Sequence, residues 1–329
     1  MAGMGKRMRP HTLTVPKPLF EIAGKPIVQR LVEDIAKVVE DDIEEIAFII
    51  GRFGEEVEKN LVAVAESLGA KGTICYQDEA LGTAHAIMCA KESLQGPVIV
   101  AFADTLFKAD FTLDASKDGI IWVHQIDDPR QFGVVQMDDN GIITNFVEKP
   151  QEFVSDLAII GIYFFKDGEN LRDELQYLLD NKIMDKGEYQ ITDALLNMAT
   201  KGKKFVPGEV IEWLDCGNKK ATVETNQRYL HFLEERGETM VDPSVETTNA
   251  TIIQPCHIGA NTKISNSVVG PNVSIGENSN VESTVISNSI VHNKTQIKDI
   301  VIKDSIIGSH ALVAGKALDV SVSDYSTIE

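Results

Sequence analysis

The sequence has few cysteines and no regular spacing between them. Its 329 residues include four cysteines, and no two of them form a Cys-x-x-Cys pair. They are Cys75, Cys89, Cys216 and Cys256. Such spacing fits neither a zinc site nor a disulfide framework, so we interpret all four as reduced thiols.

Long apolar runs are also absent. No run approaches the roughly 18 residues that a membrane-spanning helix needs. The first ten residues, MAGMGKRMRP, contain no hydrophobic region of the kind found in signal peptides. We therefore expect a cytoplasmic protein that has no membrane partner.

Positive charge is scarce. The chain carries 31 Lys and Arg against 50 Asp and Glu, a formal net charge of -19. Because this charge repels polyanions, the sequence argues against a nucleic-acid partner. Any phosphate ligand then has to meet cations concentrated in short motifs, or a metal ion.

Apolar residues, at 43% of the chain, are sufficient for more than one core. From residue 25 to about 225, β-rich runs such as EIAFIIG, VIVAFAD and AIIGIYFF alternate with segments of helical period. The helical segments include KPIVQRLVEDIAKVV, FGEEVEKNLVAVAESL and ENLRDELQYLLD. This alternation predicts an α/β domain whose sheet is covered by helices on both faces.

The pattern changes near Asp242, where short hydrophobic segments are separated by Asn, Ser, Gly and Lys. Three aliphatic series each advance by 16 or 17 residues. They are Ile252, Val269, Ile286 and Ile302; Ile258, Ile275, Val291 and Ile307; and Ile264, Val281, Ile297 and Val313. Three stacked columns predict a solenoid of parallel β-coils, which resembles the hexapeptide-repeat left-handed β-helix. A β-sandwich with accidental spacing is the alternative. We therefore place the domains at 1–241 and 242–329.

A glycine-rich segment lies at the start of the chain. Gly3 and Gly5 lack Cβ atoms, so backbone N–H groups near them can approach phosphate oxygens. Arg7 and Lys17 add positive charge for a polyphosphate. The segment matches neither a Walker A loop nor the dinucleotide-binding fingerprint. Taken alone, the glycine pair is equally consistent with a tight turn.

Taken with later motifs, this segment resembles the sugar-phosphate nucleotidyltransferase family, whose signature is Gly-x-Gly-x-Arg-(Leu/Met)-x-Pro followed by Pro-Lys-Pro. The similar segments, in order, are Gly3–Pro10, Pro16–Pro18, Gln77–Ala86, Asp104 after a strand, Phe132–Val135, Val147–Pro150 and Trp213–Gly217. The similarity covers residues 1 to about 235. It points to the thymidylyl- or uridylyltransferase-like members that carry a β-helix tail.

The resemblance implies a Rossmann-like domain with a mixed, mainly parallel sheet, followed by the β-helix. It also implies transfer of a nucleotidyl group from a nucleoside triphosphate, dTTP or UTP by preference, to a sugar 1-phosphate. Glucose 1-phosphate is the favoured sugar, and the products are a nucleotide sugar and pyrophosphate. The oxygen ligands of Asp104 and Asp215 suit Mg²⁺, the expected cofactor.

The resemblance also assigns the remaining site residues. Arg7, Lys17 and Lys149 are expected to be catalytic, because their charges offset the anionic sugar phosphate and pyrophosphate. Ala2, Gly3, Gly5, Gln77, Gly82 and Thr83 are expected to bind the nucleotide, with Gln77 reading the base. Gly133, Glu148, Gly161 and Glu188 are expected to bind the sugar. His85 is expected only to pack or cap within its helix.

Two features depart from the family pattern. The signature begins at residue 2, which leaves no residues for the buried strand that normally precedes such a phosphate loop. We therefore expect a natural form to carry an additional hydrophobic strand upstream. Lys6 stands where the family usually has Ser or Thr, and Asp156 where it often has Asn.

Three other functions remain open. The chain is alternatively a non-catalytic regulatory homologue, a mannose-1-phosphate guanylyltransferase, or a bifunctional enzyme whose β-helix transfers an acyl group. The last would require His257, His292 or His310 as general base. For the β-helix we favour homo-oligomerisation or allosteric contact.

Overall fold

A computed structural model describes residues 6–108 and 113–315 of the chain. These residues form two compact units. The first unit holds the described residues up to 217 except 21–25, and the second holds 21–25 together with those from 218 onward. The first strand of the β-repeats is Glu246–Thr248, and the compact unit that contains the repeats also includes residues 21–25 and 218–241.

The elements up to residue 235 alternate between strands and helices. In chain order they are β1 (Glu21–Ile22), β2 (Lys25–Pro26), α1 (Ile27–Val38), β3 (Glu45–Ile50), α2 (Glu55–Ser67), β4 (Lys71–Tyr76), α3 (Thr83–Met88), β5 (Val98–Ala101), β6 (Thr105–Lys108), β7 (Gly119–Gln125), β8 (Gly133–Met137), β9 (Ile143–Glu148), β10 (Leu157–Phe165), α4 (Gly168–Asp180), α5 (Ile191–Thr200), β11 (Phe205–Glu209), β12 (Glu212–Asp215) and α6 (Lys219–Glu235). Short 3₁₀ turns cover Lys6–Met8, His11–Leu13, Lys17–Leu19, Lys91–Ser93 and Pro129–Gln131.

The predicted strands and helices are confirmed. EIAFIIG forms β3, VIVAFAD contributes β5, and AIIGIYFF lies in β10. In α1, the residues Ile27, Leu31 and Ile35 recur at helical spacing and are buried. Burial of one such stripe against a sheet is what stabilises a helix of this length.

The main sheet of the first unit has six strands in the order β5-β10-β7-β11-β9-β8. The α/β class and the mixed sheet are thus confirmed. Its pairing is mainly antiparallel rather than mainly parallel, since β10 runs antiparallel to both β5 and β7 and β9 is antiparallel to β8 and β11. The short turn between β8 and β9 dictates one of these pairings, because hairpin loops join antiparallel neighbours.

A second sheet consists of the parallel pair β3 and β4, joined through α2. Among the described residues, β3 pairs with β4 and β5 pairs with β10, each along one edge. The upstream strand expected from the sequence stays a prediction.

Buried hydrogen bonds to Asn226 connect helix α6 with other parts of the second unit. The Asn226 side-chain oxygen accepts hydrogen bonds from the Ala23 backbone N–H at 2.9 Å and from the Ser274 hydroxyl at 2.7 Å. Asn226 is buried, so these bonds compensate for the loss of water around its oxygen. They fasten residues 21–25 and the first β-coils to the same helix.

The rest of the second unit is a three-sided parallel β-solenoid of about four turns. Its strands are β13 (Glu246–Thr248), β14 (Thr251–Ile252), β15 (Cys256–Ile258), β16 (Lys263–Ser265), β17 (Val268–Val269), β18 (Val273–Ile275), β19 (Asn280–Glu282), β20 (Val285–Ser287), β21 (Ser289–Val291), β22 (Gln296–Lys298), β23 (Val301–Lys303), β24 (Ile306–Ile307) and β25 (Leu312–Ala314). They form three parallel sheets, β13-β16-β19-β22-β25, β14-β17-β20-β23 and β15-β18-β21-β24.

All three predicted aliphatic columns are confirmed. Successive members pair in register, for example Val269 with Ile286 and Ile264 with Val281. The column residues in the middle coils are almost fully buried, and together they form the core of the solenoid.

The corners of the solenoid explain the abundance of asparagine. Asn249, Asn261, Asn266 and Asn278 all have positive φ angles between 46° and 56°. Asparagine adopts this left-handed conformation more readily than most residues. The Asn249 side-chain amide also donates to the Asn266 side-chain oxygen one coil further on, at 2.8 Å. Corner side chains therefore link one coil to the next.

In the parts of the chain that the structure describes, no helix is both long and apolar enough to cross a membrane.

Candidate active site

Two short antiparallel strands bring the predicted metal ligands together. Strand β12 pairs with β6, so that Asp215 lies opposite Thr105, the residue after Asp104. The Cys216 backbone N–H donates to the Asp104 carbonyl at 3.1 Å. Asp104 and Asp215 are more than one hundred residues apart in sequence, yet the strand pairing places them side by side.

A buried lysine pairs with the first of these carboxylates. Lys17 lies in a 3₁₀ turn and is only 8% exposed. Its Nζ donates to Asp104 Oδ2 at 3.0 Å, whereas the Asp104 side chain is half exposed. The Lys17 charge therefore faces the site rather than bulk solvent.

The Asp215 carboxyl group is partly buried and lies near charges of both signs. Burial raises its pKa above the usual range, and the nearby Asp104 carboxylate raises it further. Lys17, a hydrogen bond from the Gly217 N–H at 2.8 Å, and Arg7 oppose this rise. Arg7, Lys17 and Asp104 thus all act on Asp215, and the four residues form one cluster.

This cluster has the chemistry that a hard divalent cation requires. Two adjacent carboxylates repel each other, and a shared cation relieves that repulsion. Within residues 6–108 and 113–315, no group of three or more His, Cys, Asp or Glu residues is arranged to hold a metal. Mg²⁺ at phosphate sites is commonly bound by one or two carboxylates together with water and phosphate oxygens, and this pair could supply the carboxylates.

The predicted base-reading residue follows β4. Gln77 is buried, and its side-chain nitrogen lies 3.2 Å from the Gly82 carbonyl oxygen and 3.2 Å from His85 Nδ1. The sequence predicted that His85 would only pack or cap within its helix, so its contact with Gln77 was missed. Of the other predicted nucleotide-binding residues, Ala2, Gly3 and Gly5 lie outside the described residues.

Gly82 and Thr83 are held by a segment that sequence reasoning did not single out. The Tyr189 N–H donates to the Leu81 carbonyl at 2.8 Å, and the Ala84 N–H donates to the Tyr189 carbonyl at 2.9 Å. Gly82 has a φ of +109°, and a Cβ atom there would overlap the Tyr189 backbone. The missing side chain of Gly82 thus allows two backbone segments to meet.

Thr83 is used inside the protein. Its hydroxyl accepts from the Ile191 N–H at 2.9 Å and donates to Gln190 Oε1 at 3.2 Å. Because a hydroxyl has a single hydrogen, the Thr83 hydroxyl has no further donor to offer a nucleotide. Gln190 also donates to Glu188 at 3.2 Å, so it links Thr83 to a predicted sugar ligand.

The sugar residues Gly133 and Glu148 lie opposite each other in the β8–β9 hairpin. A Cβ atom at Gly133 would lie 3.0 Å from Glu148 Oε2, so glycine there leaves room for the carboxylate. Lys149, with a positive φ of 44°, holds its Nζ 3.2 Å from Glu148 Oε1. The hairpin therefore carries an adjacent carboxylate and ammonium at its end.

Gly161 and Glu188 have different surroundings. Gly161, in β10, has a φ of +86°, and a Cβ atom there would lie 3.1 Å from the Phe102 ring, so glycine at 161 accommodates that ring. Glu188 is exposed and belongs to the turn before α5. Asp193, in the first turn of α5, was not predicted from the sequence. Its pKa is raised by burial and by the nearby carboxylates Asp185 and Glu148.

Comparison with known proteins bears directly on this arrangement. The family model described as "Nucleotidyl transferase" matches residues 1–231, well over half of the chain. The chain belongs to the nucleotidyl transferase family. The family resemblance of its motifs is thereby confirmed.

Two relatives extend the similarity into the second unit. The low-salt glycan biosynthesis nucleotidyltransferase Agl11 of Haloferax volcanii is 32% identical, over 94% of this chain and 91% of that protein. A glucose-1-phosphate thymidylyltransferase of Streptomyces antibioticus is 30% identical, over 99% of this chain and 97% of that protein. This nucleotidyl transferase therefore matches both relatives over nearly their whole length.

A solved structure supports the fold. A UDP-glucose pyrophosphorylase complexed with UDP-glucose superimposes with a TM-score of 0.58 at 24% identity, over 70% of this chain and 96% of that one. The family match and the two relatives show that the chain is an enzyme of the nucleotidyltransferase class that its sequence motifs predict.

Proposed function

We propose that this nucleotidyl transferase joins a thymidylyl or uridylyl group, from dTTP or UTP, to glucose 1-phosphate and releases pyrophosphate. The observation that carries this proposal is the cluster of Arg7, Lys17, Asp104 and Asp215, in which a buried ammonium and two carboxylates meet. Such a cluster suits a reaction between two anions, because it offers both a metal site and fixed positive charge.

Asp104 and Asp215 are the residues that would hold Mg²⁺. When bound there, the ion draws charge from the α-phosphate of the triphosphate. Asp104 also orients Lys17 through their ion pair. The protein needs no nucleophile of its own, since the sugar phosphate oxygen attacks the α-phosphate directly.

Lys17 and Arg7 would offset the charge that develops on the departing pyrophosphate. Lys17 is buried, and a buried cation acts on an anion more strongly than an exposed one. Its position is fixed before the substrate arrives, so little reorganisation is needed in the transition state.

Lys149 and Glu148 would bind the sugar phosphate. The Lys149 ammonium is half exposed and so able to meet a phosphate, while Glu148 is mostly buried beside it. Glu148 would accept hydrogen bonds from sugar hydroxyls, with Gly133 leaving room for the carboxylate. Gly161 and Glu188 are further proposed sugar contacts.

The choice of glucose 1-phosphate and of a pyrimidine triphosphate rests on the names of the relatives. The Streptomyces relative is named a glucose-1-phosphate thymidylyltransferase, and a mannose-1-phosphate guanylyltransferase catalytic subunit of Drosophila melanogaster is 30% identical over 75% of this chain and 69% of that protein. Guanylyl transfer is accordingly the second arm of the test. We also propose a cytoplasmic location and self-association through the β-solenoid.

The test uses the full chain with Mg²⁺, glucose 1-phosphate and each nucleoside triphosphate in turn, and measures pyrophosphate release. The variant Asp104→Ala removes a proposed metal ligand. Asp173→Ala, which removes an exposed carboxylate from helix α4, is the matched control. Mannose 1-phosphate with GTP is included as the competing pair.

We expect release with dTTP or UTP that is retained in Asp173→Ala and falls at least 100-fold in Asp104→Ala. Release with GTP and mannose 1-phosphate alone would replace the proposed substrates. No release with any pair would favour the non-catalytic alternative. Full activity of Asp104→Ala would remove the proposed metal role.

A further inference from the structure

The Gln77 side-chain amide has a fixed orientation. Its nitrogen lies 3.2 Å from the Gly82 carbonyl oxygen. A carbonyl oxygen only accepts hydrogen bonds, so the amide nitrogen, and not the amide oxygen, has to face it. The usual ambiguity between the two ends of a glutamine side chain is thereby resolved.

His85 takes the second hydrogen of the same amide. Its Nδ1 lies 3.2 Å from Gln77 Nε2. Because Gln77 Nε2 is a donor, His85 Nδ1 has to accept. This requires a neutral imidazole whose proton is on His85 Nε2. Both amide hydrogens of Gln77 are therefore engaged within the protein.

The backbone frame around this contact is itself held in place. The Gly82 carbonyl also accepts from the Ala86 N–H at 3.1 Å, and Tyr189 holds the residues on either side of Gly82. The neighbouring Asp78 is bound by Arg52 through two hydrogen bonds of 2.8 and 3.1 Å. Of the two acceptors that face the Gln77 amide, His85 is the one supplied by a side chain.

One consequence concerns what Gln77 offers to a ligand. Among the residues that the structure describes, the Gln77 side-chain oxygen accepts no hydrogen bond. With both hydrogens used, the amide presents an acceptor and no donor. A ring N–H, as in uracil, thymine and guanine, complements this acceptor, whereas the corresponding ring nitrogen of cytosine and adenine is itself an acceptor.

We propose that His85 is a positioning residue for base recognition, which holds the Gln77 amide so that its oxygen faces the base. This inference rests on the proposed function, in which Gln77 meets the nucleobase. It adds that selectivity for bases with a ring N–H depends on His85, although His85 itself does not touch the nucleotide.

Three variants test the proposal. His85→Phe keeps a ring of similar size and removes the acceptor. His85→Asn keeps an oxygen at the δ position, where it can replace Nδ1. Gln77→Ala removes the amide, so that His85→Phe added to it should have no further effect if His85 acts through Gln77.

The readouts are the equilibrium affinity for UTP, dTTP, CTP and ATP, which needs no turnover, and the separate values of kcat and KM. In His85→Phe we expect affinity for UTP or dTTP to fall about 5- to 10-fold, as loss of one buried hydrogen bond predicts. We expect the ratio of the affinity for UTP or dTTP to the affinity for CTP to fall. The kcat at saturating triphosphate should stay within about twofold of the native value. His85→Asn should restore affinity and preference.

The outcomes separate this inference from the proposed function. If the native chain binds UTP or dTTP and His85→Phe binds them equally well with an unchanged preference over CTP, the inference is wrong and the function stands. An equal loss in His85→Phe and His85→Asn, or an added loss in the Gln77→Ala background, also overturns it. If the native chain binds none of the triphosphates, both are wrong.

Discussion

Lys17 and Asp104 form an ion pair of 3.0 Å between a buried ammonium and a half-exposed carboxylate. The two partners therefore depend on the pair to different degrees. Lys17 has lost most of its contact with water and needs the carboxylate, whereas Asp104 retains solvent. Removal of one partner from such a pair costs most when the group left behind is buried.

The first prediction follows from this asymmetry. Asp104→Asn should lower the free energy of unfolding by about 1–2 kcal/mol, because Lys17 keeps its charge in a buried position. Lys17→Met should lower it less, since the lysine stem is already packed and Asp104 can be hydrated, so that only the charge that offsets Asp215 is lost. Both variants should lose at least 100-fold in kcat/KM.

Urea unfolding and initial-rate assays measure these effects. The double variant is the control, because Asp104→Asn should cost nothing once Lys17 is methionine. An equal stability cost of Asp104→Asn in both backgrounds would show that the pair does not carry the effect.

A second prediction concerns Asp215. Burial, and then Asp104, raise its pKa, so the fold disfavours the ionised form. A carboxyl group with a raised pKa contributes stability at low pH that is lost as the pH rises through its folded-state pKa. Asp215→Asn should therefore raise the melting temperature at neutral pH in the presence of a chelator, while abolishing Mg²⁺-dependent turnover.

The asparagine keeps an oxygen that can accept the hydrogen bond that the Gly217 N–H donates to Asp215 Oδ1 at 2.8 Å in the native chain. Added Mg²⁺ should raise the melting temperature of the native chain more than that of the variant. A lower melting temperature for Asp215→Asn in chelator would contradict this account of the Asp215 carboxylate.

Periodic features of this fold are readable from the sequence, and long-range contacts are not. The three aliphatic columns were predicted residue by residue, because a solenoid repeats the same local environment every 16 or 17 residues. The pairing of Asp104 with Asp215 was likewise predicted, but from family motifs rather than from spacing, and their metal role stays a prediction. Nothing in the sequence between Asp104 and Asp215 indicates that β6 and β12 pair.

The contacts that support the candidate site show what could not be predicted from the sequence. His85 reaches back to Gln77 across one loop, and Gln190 reaches Thr83 across 107 residues. Both depend on where helices begin relative to one another, which propensity and period do not determine. The placement of residues 21–25 with α6 depends in the same way on Asn226, which lies 203 residues from Ala23.

A third prediction compares two glycines that both have positive φ. Gly82, at +109°, faces the Tyr189 backbone, whereas a Cβ atom at Gly141, at +75°, would meet nothing within 4 Å. Gly141→Ala should cost about 1 kcal/mol from backbone strain alone. Gly82→Ala should cost roughly 3 kcal/mol or more, and should also weaken triphosphate binding because the loop has to move.

Chemical unfolding of both variants, together with triphosphate affinity, measures the difference. Equal costs would mean that the Tyr189 backbone yields to a methyl group at no expense, and that the close approach at Gly82 has no energetic role.

A fourth prediction concerns alkaline pH and the buried thiol of Cys256. Burial raises the pKa of this thiol to about 11 from a usual value of 9.0. Between these pH values the unfolded chain ionises the thiol while the folded chain keeps it protonated. The native protein should therefore lose about 2–3 kcal/mol of stability between pH 9 and pH 11 through this group.

The comparison with Cys256→Ala isolates the thiol from other groups that titrate in the same range. The variant should be less stable at pH 8, where it has gained a cavity and lost the hydrogen bond that Cys256 Sγ donates to the Ile253 carbonyl, but its stability should decline less steeply above pH 9. If the free energies of unfolding of the two proteins, measured with urea, fell equally steeply above pH 9, the prediction would be wrong.

The last prediction tests whether the aliphatic columns stabilise the solenoid. Ile286 is fully buried between Val269 and Ile302 of the same column, while its neighbour Val285 points outward and is 43% exposed. Ile286→Ala should lower the free energy of unfolding of the second unit by about 2–5 kcal/mol, because it leaves a cavity with packed walls on both sides.

Val285→Ala, on the same strand, should change it by no more than about 0.5 kcal/mol. Each coil packs only on its neighbours, so the loss should appear as earlier hydrogen exchange in β17, β20 and β23 before it appears in the first unit. If both substitutions had the same effect, the inward and outward sides of β20 would not differ in packing, and the columns would not be what holds the coils together.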